Sequence, residues 1–166
     1  HRGCYGECHF CAIAVHQGRT VISRSEQSIL NEAKRFVKNP NFNGVISDVG
    51  GPTANMYGFE CQKKQSSGAC ADKRCVFPSI CNSLKPDHSA QIRLLKHLAR
   101  LDGVSHVFIA SGLRHDLVVD DKKYGQQYIK RVVCHHTSGQ MKIAPEHIDP
   151  VVLNLMGKPG KEYVQK

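Results

Sequence analysis

Three cysteines lie close together near the beginning of the sequence, in the stretch RGCYGECHFCAI. They are Cys4, Cys8 and Cys11, with the spacing C-x3-C-x2-C. A structural zinc site and an electron-transfer iron–sulfur cluster each normally take four protein ligands. Three thiolates on a four-iron cluster leave one iron open, and an open iron can bind a substrate or a cofactor. The spacing therefore favours a reactive cluster over a closed metal site.

A second group of cysteines lies in residues 52–86, a segment with little helical or strand pattern. Its members are Cys61, Cys70, Cys75 and Cys81. Thiolate ligands suit zinc or an auxiliary iron–sulfur cluster, and a bound metal stabilises a segment that has little apolar core. We predict a second metal site here, with free thiols as the alternative because the spacing is not a standard zinc pattern. The compact grouping of both sets disfavours a disulfide framework.

The remaining cysteine begins the triplet from Cys134 to His136. This triplet follows a predicted helix, and the helix dipole favours cationic histidines at that end. We predict a structural role for it.

The composition allows one domain or two small ones, and it is basic. The chain has 166 residues, with 23 Lys and Arg against 14 Asp and Glu, which gives a net charge of +9. No apolar stretch is long enough to span a bilayer, so we expect a cytoplasmic protein without a membrane partner. The positive charge favours an anionic partner such as nucleic acid, or it belongs to an ordinary solvated surface.

The hydrophobic pattern alternates between helices and strands after the first cysteine group. It predicts helices over 23–38, 87–103 and 124–133 and strands over 44–51, 104–112 and 138–146, followed by a helix that begins at Asp149-Pro150. Ser23 and Glu26 have the spacing of a capping box for the first helix. This order predicts an α/β fold with a parallel sheet and right-handed crossovers. Since no strand precedes the first helix, we expect a leading strand to be missing and the chain to be part of a larger domain.

Residues capable of chemistry lie at the C-terminal end of each predicted strand. Gly50 and Gly51 end the first, residues 111–116 lie at the end of the second, and residues 142–147 lie at the end of the third. In parallel α/β folds the carboxyl edge of the sheet is where ligands bind. The cysteine loop would lie there too if a strand preceded it.

The loop CYGECHFC resembles the C-x3-C-x-aromatic-C loop of radical S-adenosylmethionine (SAM) enzymes, with Phe10 in the aromatic position. Together with SDVGGPTANMYG, CVFPSIC and SGQMKIAPEHIDPVVLNLMGKPG, it resembles the YgiQ family of radical SAM proteins. The likeness runs from His1 to about Gly160. It implies that residues 1–166 are a fragment of a partial, open (βα)6 barrel, without the first strand and the C-terminal units, and with a cysteine-rich insert over 52–86.

The resemblance also implies an activity. In radical SAM enzymes the open iron of a 4Fe–4S cluster binds SAM, whose reductive cleavage yields a 5′-deoxyadenosyl radical that abstracts hydrogen from a substrate. The implied partners are an electron donor such as flavodoxin or ferredoxin and a substrate that the sequence does not identify. We expect the isolated fragment to be inactive.

Individual residues carry over from the family by their place in its motifs. Cys4, Cys8 and Cys11 correspond to the cluster ligands, and Gly50 and Gly51 to the glycines beside the amino group of SAM. Pro52 stands where the wider superfamily often has Glu. The positions expected near the ribose and carboxylate of SAM are Ser111, Arg114, Lys142 and Glu146. Alternatively, Arg114 and Lys142 pair with Asp116 and Glu146.

Two other classes of protein remain open. In one, a cysteine of residues 61–81 completes the first site, giving an iron–sulfur or zinc protein without SAM chemistry. In the other, the chain is a basic nucleic-acid-binding module, whose binding would depend on salt and survive loss of the first three cysteines.

Overall fold

The computed structural model describes residues 1–163 and 165, so the predicted 1–166 core includes two positions, 164 and 166, outside the described residues. Seven α-helices and two strands alternate irregularly along this part of the chain. In chain order they are α1 (Ile13–Gln17), α2 (Glu26–Val37), β1 (Val45–Ile46), α3 (Gln62–Ser67), α4 (Ser89–Leu98), β2 (His106–Val107), α5 (His115–Asp120), α6 (Gly125–His135) and α7 (Pro150–Met156), with a 3₁₀ turn at Lys161–Tyr163.

The strands β1 and β2 are parallel, with Val45 opposite His106 and Ile46 opposite Val107. Their pairing extends one step further, because Phe108 N–H donates to the carbonyl of Ile46 (2.8 Å) and Val49 N–H donates to that of Phe108 (2.8 Å). Both strands lie inside the predicted segments but are shorter. The parallel arrangement of these two segments agrees with the prediction.

The third predicted strand, residues 138–146, is not a strand in the structure. It is reduced to a parallel bridge between Leu113 and Ile143, with Leu113 N–H donating to the carbonyl of Lys142 at 2.9 Å. Gly139 and Glu146 both have positive φ, at 148° and 71°. Extended backbone is therefore confined to the few residues between them.

The helix starts show where local capping signals are reliable. Asp149 caps α7, its carboxylate accepting from Val151 N–H (2.9 Å) and Val152 N–H (3.1 Å), as predicted. The predicted capping box of α2 is wrong: the cap is Ser25, whose hydroxyl accepts from a backbone N–H of the first turn. Ser23 instead accepts a hydrogen bond from Gly58 N–H at 3.0 Å. The short helices α1 and α5 were not predicted.

Two apolar clusters form the core. The first joins α2, α4 and α6 to the strands, and it includes Ala33, Leu95, Val107 and Val132. The second joins the cysteine loop to the insert. Its buried members are Cys4, Tyr5, Val21, Met56, Phe59, Cys61, Cys75, Val76, Leu84 and Leu117. Both cysteine groups therefore contribute to one hydrophobic cluster.

The insert over 52–86, whose sequence has little helical or strand pattern, contains one short helix, α3, which was not predicted. Across the described residues, no helix has the length and apolar character required to cross a membrane.

Candidate functional site

The backbone at the start of the cysteine loop is fixed by pairing with residues 18–22. Arg2 and Ile22 form an antiparallel bridge, and Cys4 N–H donates to the carbonyl of Gly18 at 3.1 Å. Gly3 has φ of 86°, and a Cβ added there would lie 2.1 Å from the carbonyl oxygen of Thr20. Only glycine fits where the backbone of residue 3 passes so close to that of Thr20. Gly3 therefore fixes the position at which the cysteine loop begins.

Two of the three thiols gather around Gly6. A Cβ added at Gly6 would lie 3.2 Å from the Sγ of Cys4 and 3.5 Å from that of Cys8. Gly6 N–H also donates to Cys4 Sγ at 3.3 Å. Cys11 follows in a turn, with its N–H donating to the carbonyl of Cys8 at 3.0 Å. The loop thus places all three cysteines within a short backbone span, with glycine at the point of closest approach.

Arg114, which follows β2, reaches this loop. Its Nη1 lies 3.7 Å from Cys8 Sγ, while its Nε donates to Asp116 at 2.9 Å. Both Arg114 and Asp116 are buried, at 5% and 1% exposure. The Arg114–Asp116 ion pair, which was the alternative to a contact with SAM, therefore forms, and the same guanidinium also contacts a thiol.

Charges around Cys8 oppose the effect of its burial. Burial raises the pKa of the Cys8 thiol, whereas the positive charges of Arg114 and Lys158 act to lower it. Burial also opposes the charge on Arg114, but Asp116 holds the pKa of Arg114 above its ordinary value. Two cations therefore favour a thiolate at a position that burial alone would keep protonated.

Segments that follow both strands contact the cysteine loop. After β1, Thr53 places its hydroxyl 3.5 Å from Cys4 Sγ. The side chain of Asn55 binds the backbone of Arg114 on both sides, donating to its carbonyl (2.9 Å) and accepting from its N–H (2.8 Å). The loop accordingly lies at the carboxyl end of the parallel pair.

A buried histidine extends this network inward. The amide of Asn55 donates to Nε2 of His88 at 3.1 Å, and Nδ1 of His88 donates to Asp121 at 2.8 Å. His88 is fully buried, and burial lowers its pKa despite the adjacent Asp121. These contacts require neutral His88 with its proton on Nδ1.

The glycine pair lies at the end of β1, beside a carboxylate. Asp48 accepts from Ala110 N–H (3.0 Å) and from the hydroxyl of Ser111. A Cβ at Gly50 would lie 2.9 Å from Asp48 Oδ1, and one at Gly51 would lie 2.5 Å from the ring of His1. Both glycines are therefore in close contact with neighbouring side chains, and Ser111 is held by Asp48.

The other predicted residues lie around this edge without converging. Phe10 is 56% exposed, and Lys142 is exposed. The alternative pairing of Lys142 with Glu146 is not the one that forms, because Glu146 pairs with Lys158 at 3.4 Å. Lys158 belongs to the GKPG turn after α7 and is 5% exposed. Glu146 therefore supplies a negative charge beside a buried ammonium group.

The four cysteines of the insert line one small cavity. Backbone N–H groups of residues 83 and 84 lower the pKa of Cys81, whereas burial raises that of Cys75. In the Cys134–His136 triplet, the cysteine is exposed, and His136 is buried with Nδ1 2.7 Å from the carbonyl of Val107. Burial lowers the pKa of His136, so its neutral form is favoured and not the cationic form on which the prediction rested, and its bond to Val107 is a structural contact.

In the described part of the chain, no group of three or more His, Cys, Asp or Glu side chains is placed to hold a single metal ion. One ion needs its sulfur ligands about 2.3 Å from itself, which forces them together. A four-iron cluster binds each thiolate to a different iron, so its ligands stand further apart. The donor set of the first loop, with glycine between two thiols and a cation beside one, fits such a cluster.

Sequence reasoning missed four residues of this region. They are Asp48, Thr53, Asn55 and Lys158, and all contact or closely support the loop or the glycine pair. Three of them lie in the SDVGGPTAN stretch, whose density of polar residues after a strand was the available signal.

In the described residues the chain is largely helical, with one pair of parallel strands and a thiol loop at the carboxyl end of that pair. Along its whole length the chain is similar to UPF0313 proteins. It is 57% identical over 166 residues to one from Fusobacterium nucleatum, and 49% identical over 166 residues to one from Methanosarcina mazei. A third, from Clostridium perfringens, is 50% identical over 163 residues, or 98% of the chain.

The chain spans only 29%, 26% and 24% of the lengths of these three relatives. No family model matches the chain, and no solved structure matches it.

Proposed function

We propose that this chain is a segment of a UPF0313 protein of the YgiQ family and part of the core of a radical SAM enzyme. In this proposal Cys4, Cys8 and Cys11 hold a 4Fe–4S cluster whose fourth iron is open to SAM. The observation that carries it is the gathering of Cys4, Cys8 and Arg114 around Gly6 at the carboxyl end of the parallel strands. The identity to UPF0313 proteins over the whole chain supports it.

When bound, the cluster supplies the electron that splits the sulfonium of SAM, so that the adenosyl carbon can take hydrogen from a substrate. The chain's own residues prepare this site. Arg114 and Lys158 place positive charge beside Cys8 and offset the charge of the thiolates. Cys4 and Tyr5 are buried, which excludes water from one side of the loop.

Asp48 is the residue that we assign to the amino group of SAM. Pro52 occupies the position where related enzymes often carry an acidic residue, so backbone carbonyls or another side chain must contact the cationic amine. Asp48 lies against Gly50, at the end of β1. Its bond to Ser111 also orients that hydroxyl at the same edge.

We propose the same partial (βα)6 barrel as the fold of the whole domain. What supports it is the parallel pair and the surface along β1, where two depressions of about 320 and 270 Å³ run between the strand and α2. Apolar Phe36 and Ile46 line both depressions. A further parallel strand on that side would cover them. The electron donor would be a flavodoxin or ferredoxin, and the substrate stays unassigned.

The test is electron paramagnetic resonance on the protein extended at both ends to the length of its relatives. After anaerobic cluster assembly and reduction, we expect SAM to change the spectrum, and a Cys4→Ala variant to lose the cluster signal. A Cys134→Ala variant is the matched control, since that thiol is exposed on α6.

A four-iron signal that ignores SAM would overturn the proposal and favour a closed cluster with a fourth ligand from the insert. A chain that binds nucleic acid but no iron would favour the basic binding module. An Asp48→Asn variant tests the amine assignment: SAM affinity should fall while cluster content stays unchanged.

A further inference from the structure

The cysteines of the insert come together although the segment has little regular structure. Cys61, Cys70, Cys75 and Cys81 all line one cavity of about 50 Å³. Cys61 and Cys75 are each 5% exposed, so half of the group faces the interior. A cavity of this size has room for more than one water-sized occupant. All four cysteines of the insert therefore line the same small cavity, which brings them to one place although they are spread over 21 residues of chain.

Backbone contacts fix three of the four cysteines. Cys61 precedes α3, and its N–H donates to the hydroxyl of Tyr5 at 3.2 Å. Cys81 N–H donates to the carbonyl of Cys75 at 2.8 Å, which folds the 75–81 turn back on itself. Leu84 N–H then donates to the carbonyl of Cys81 at 2.8 Å. These bonds fix the backbone at three of the four cysteines, and the bond at Cys61 also ties the insert to Tyr5 of the first loop.

Positive side chains surround the cavity. Its lining includes Lys63, Lys64, Lys73 and Arg74. Lys64 is 2% exposed, and its ammonium donates to the carbonyl of Arg19 at 2.5 Å and lies 3.7 Å from Glu7. Burying a lysine is costly unless its charge is compensated. Thiolates at the cavity would compensate it further, and the cations would in turn offset the negative charge of a four-thiolate site.

We propose that Cys61, Cys70, Cys75 and Cys81 bind a second metal centre, separate from the first loop, through four thiolates. The shared chemistry is that of a thiophilic metal, either zinc or an iron–sulfur cluster. The described thiols are not placed around a single ion. A cluster binds each thiolate to a different iron and so takes ligands that stand further apart, whereas zinc would require the side chains to rotate inward. Either centre would supply folding energy to a segment with few apolar residues.

The test uses the extended protein with Cys4, Cys8 and Cys11 all changed to Ser, so that the first site cannot contribute. Metal content is measured by elemental analysis after anaerobic assembly with iron and sulfide, and separately after expression with zinc. We expect one centre per chain to remain in this triple variant. Adding Cys75→Ser and Cys81→Ser should remove it, whereas adding Cys134→Ser should leave it unchanged.

Comparing the samples assembled with iron and sulfide with those expressed with zinc identifies the metal. Metal bound by the triple variant in either sample supports the site. A triple variant that folds by circular dichroism but carries no more metal than the variant with five cysteines changed would overturn it. If the triple variant does not fold, the same Cys75→Ser and Cys81→Ser changes in the otherwise unchanged protein must lower its metal content by one centre. The proposal for the first loop is tested by its response to SAM, so either can fail alone.

Discussion

The two cysteine regions of this molecule are built in opposite ways. The first loop is held by a buried polar network that runs from Arg114 and Asp116 through Asn55 to His88. In the insert, backbone hydrogen bonds fix the chain at three of the four cysteines, but lysine and arginine line the cavity and their positive charges repel one another until an anionic centre is bound. A site with satisfied side-chain hydrogen bonds keeps its shape without a ligand, whereas a site with crowded like charges depends on what it binds. We infer that the first region is preorganised and that the second is ordered by its metal.

The largest effect should come from breaking the ion pair in the first region. Asp116→Ala leaves Arg114 charged and buried without its carboxylate, which we expect to lower the free energy of unfolding by about 3–5 kcal/mol. Urea denaturation measures it, with Asp102→Ala as the control because Asp102 is exposed. Equal losses in both variants would contradict the idea of a preorganised loop.

A smaller loss should follow from Asn55→Ala. This change leaves the backbone N–H and carbonyl of Arg114 without their side-chain partner, at a cost of about 1–3 kcal/mol. Asn41→Ala is the comparison, since Asn41 is exposed near the end of α2. If the unfolding free energies of the two variants agree within error, the network does not hold the loop.

Metal removal should separate the two regions directly. With a chelator present, we expect trypsin to cleave several-fold faster beside Lys63 and Lys73 in the insert, while cleavage beside Arg2 changes little. Mass spectrometry of the first fragments gives both rates from one sample. Equal acceleration at both places would mean that the regions lose order together.

The smallest effect concerns pH. Burial lowers the pKa of His88 from its ordinary 6.5, so just below that pH the unfolded chain binds more protons than the folded one. Stability is therefore full above pH 6.5 and falls as the pH drops, by at most about 1.4 kcal/mol per pH unit for one histidine. Burial shifts the pKa of His115 and His136 in the same direction.

Replacing His88 with Gln should reduce this slope, measured by urea denaturation between pH 7 and 5.5. The control is His16→Gln, because His16 is exposed on α1. If the unfolding free energy changes with pH to the same extent in both variants, His88 does not cause the pH dependence.

Sequence reasoning succeeded where the signal is local. The start of α7 follows from Asp149 and Pro150 alone, because a cap and a fixed φ act within one turn. It failed at α2, where Ser23 and Ser25 compete, and tertiary contact with Gly58 decides between them. The third strand failed for a related reason, since apolar alternation does not report how backbone turns at either end limit a strand.

Part of the candidate site was predictable in the same sense. The Arg114–Asp116 pair is two residues apart and was one of two alternatives for Arg114, and the cysteine loop was expected at the carboxyl edge if a strand preceded it. Lys158 could not be identified from the sequence, because it is more than a hundred residues from Cys8. Only the fold brings its positive charge close enough to affect the pKa of Cys8. Asn55 could not be identified either. Its amide binds the backbone of Arg114, and such a contact does not depend on any particular residue type or spacing in the sequence.

The bond from Cys61 N–H to the hydroxyl of Tyr5 has a consequence for how the chain can be divided. Burial raises the pKa of Tyr5 to about 12, and its ring packs in the same cluster as Phe59, Cys61 and Cys75. Deleting residues 61–81 would leave the Tyr5 hydroxyl buried without its hydrogen-bond partner. It would also remove Cys61, Cys75 and Val76 from the apolar cluster and leave a cavity beside the first loop. The insert is therefore part of the packed core beneath the first loop, and it cannot be removed as a separate module.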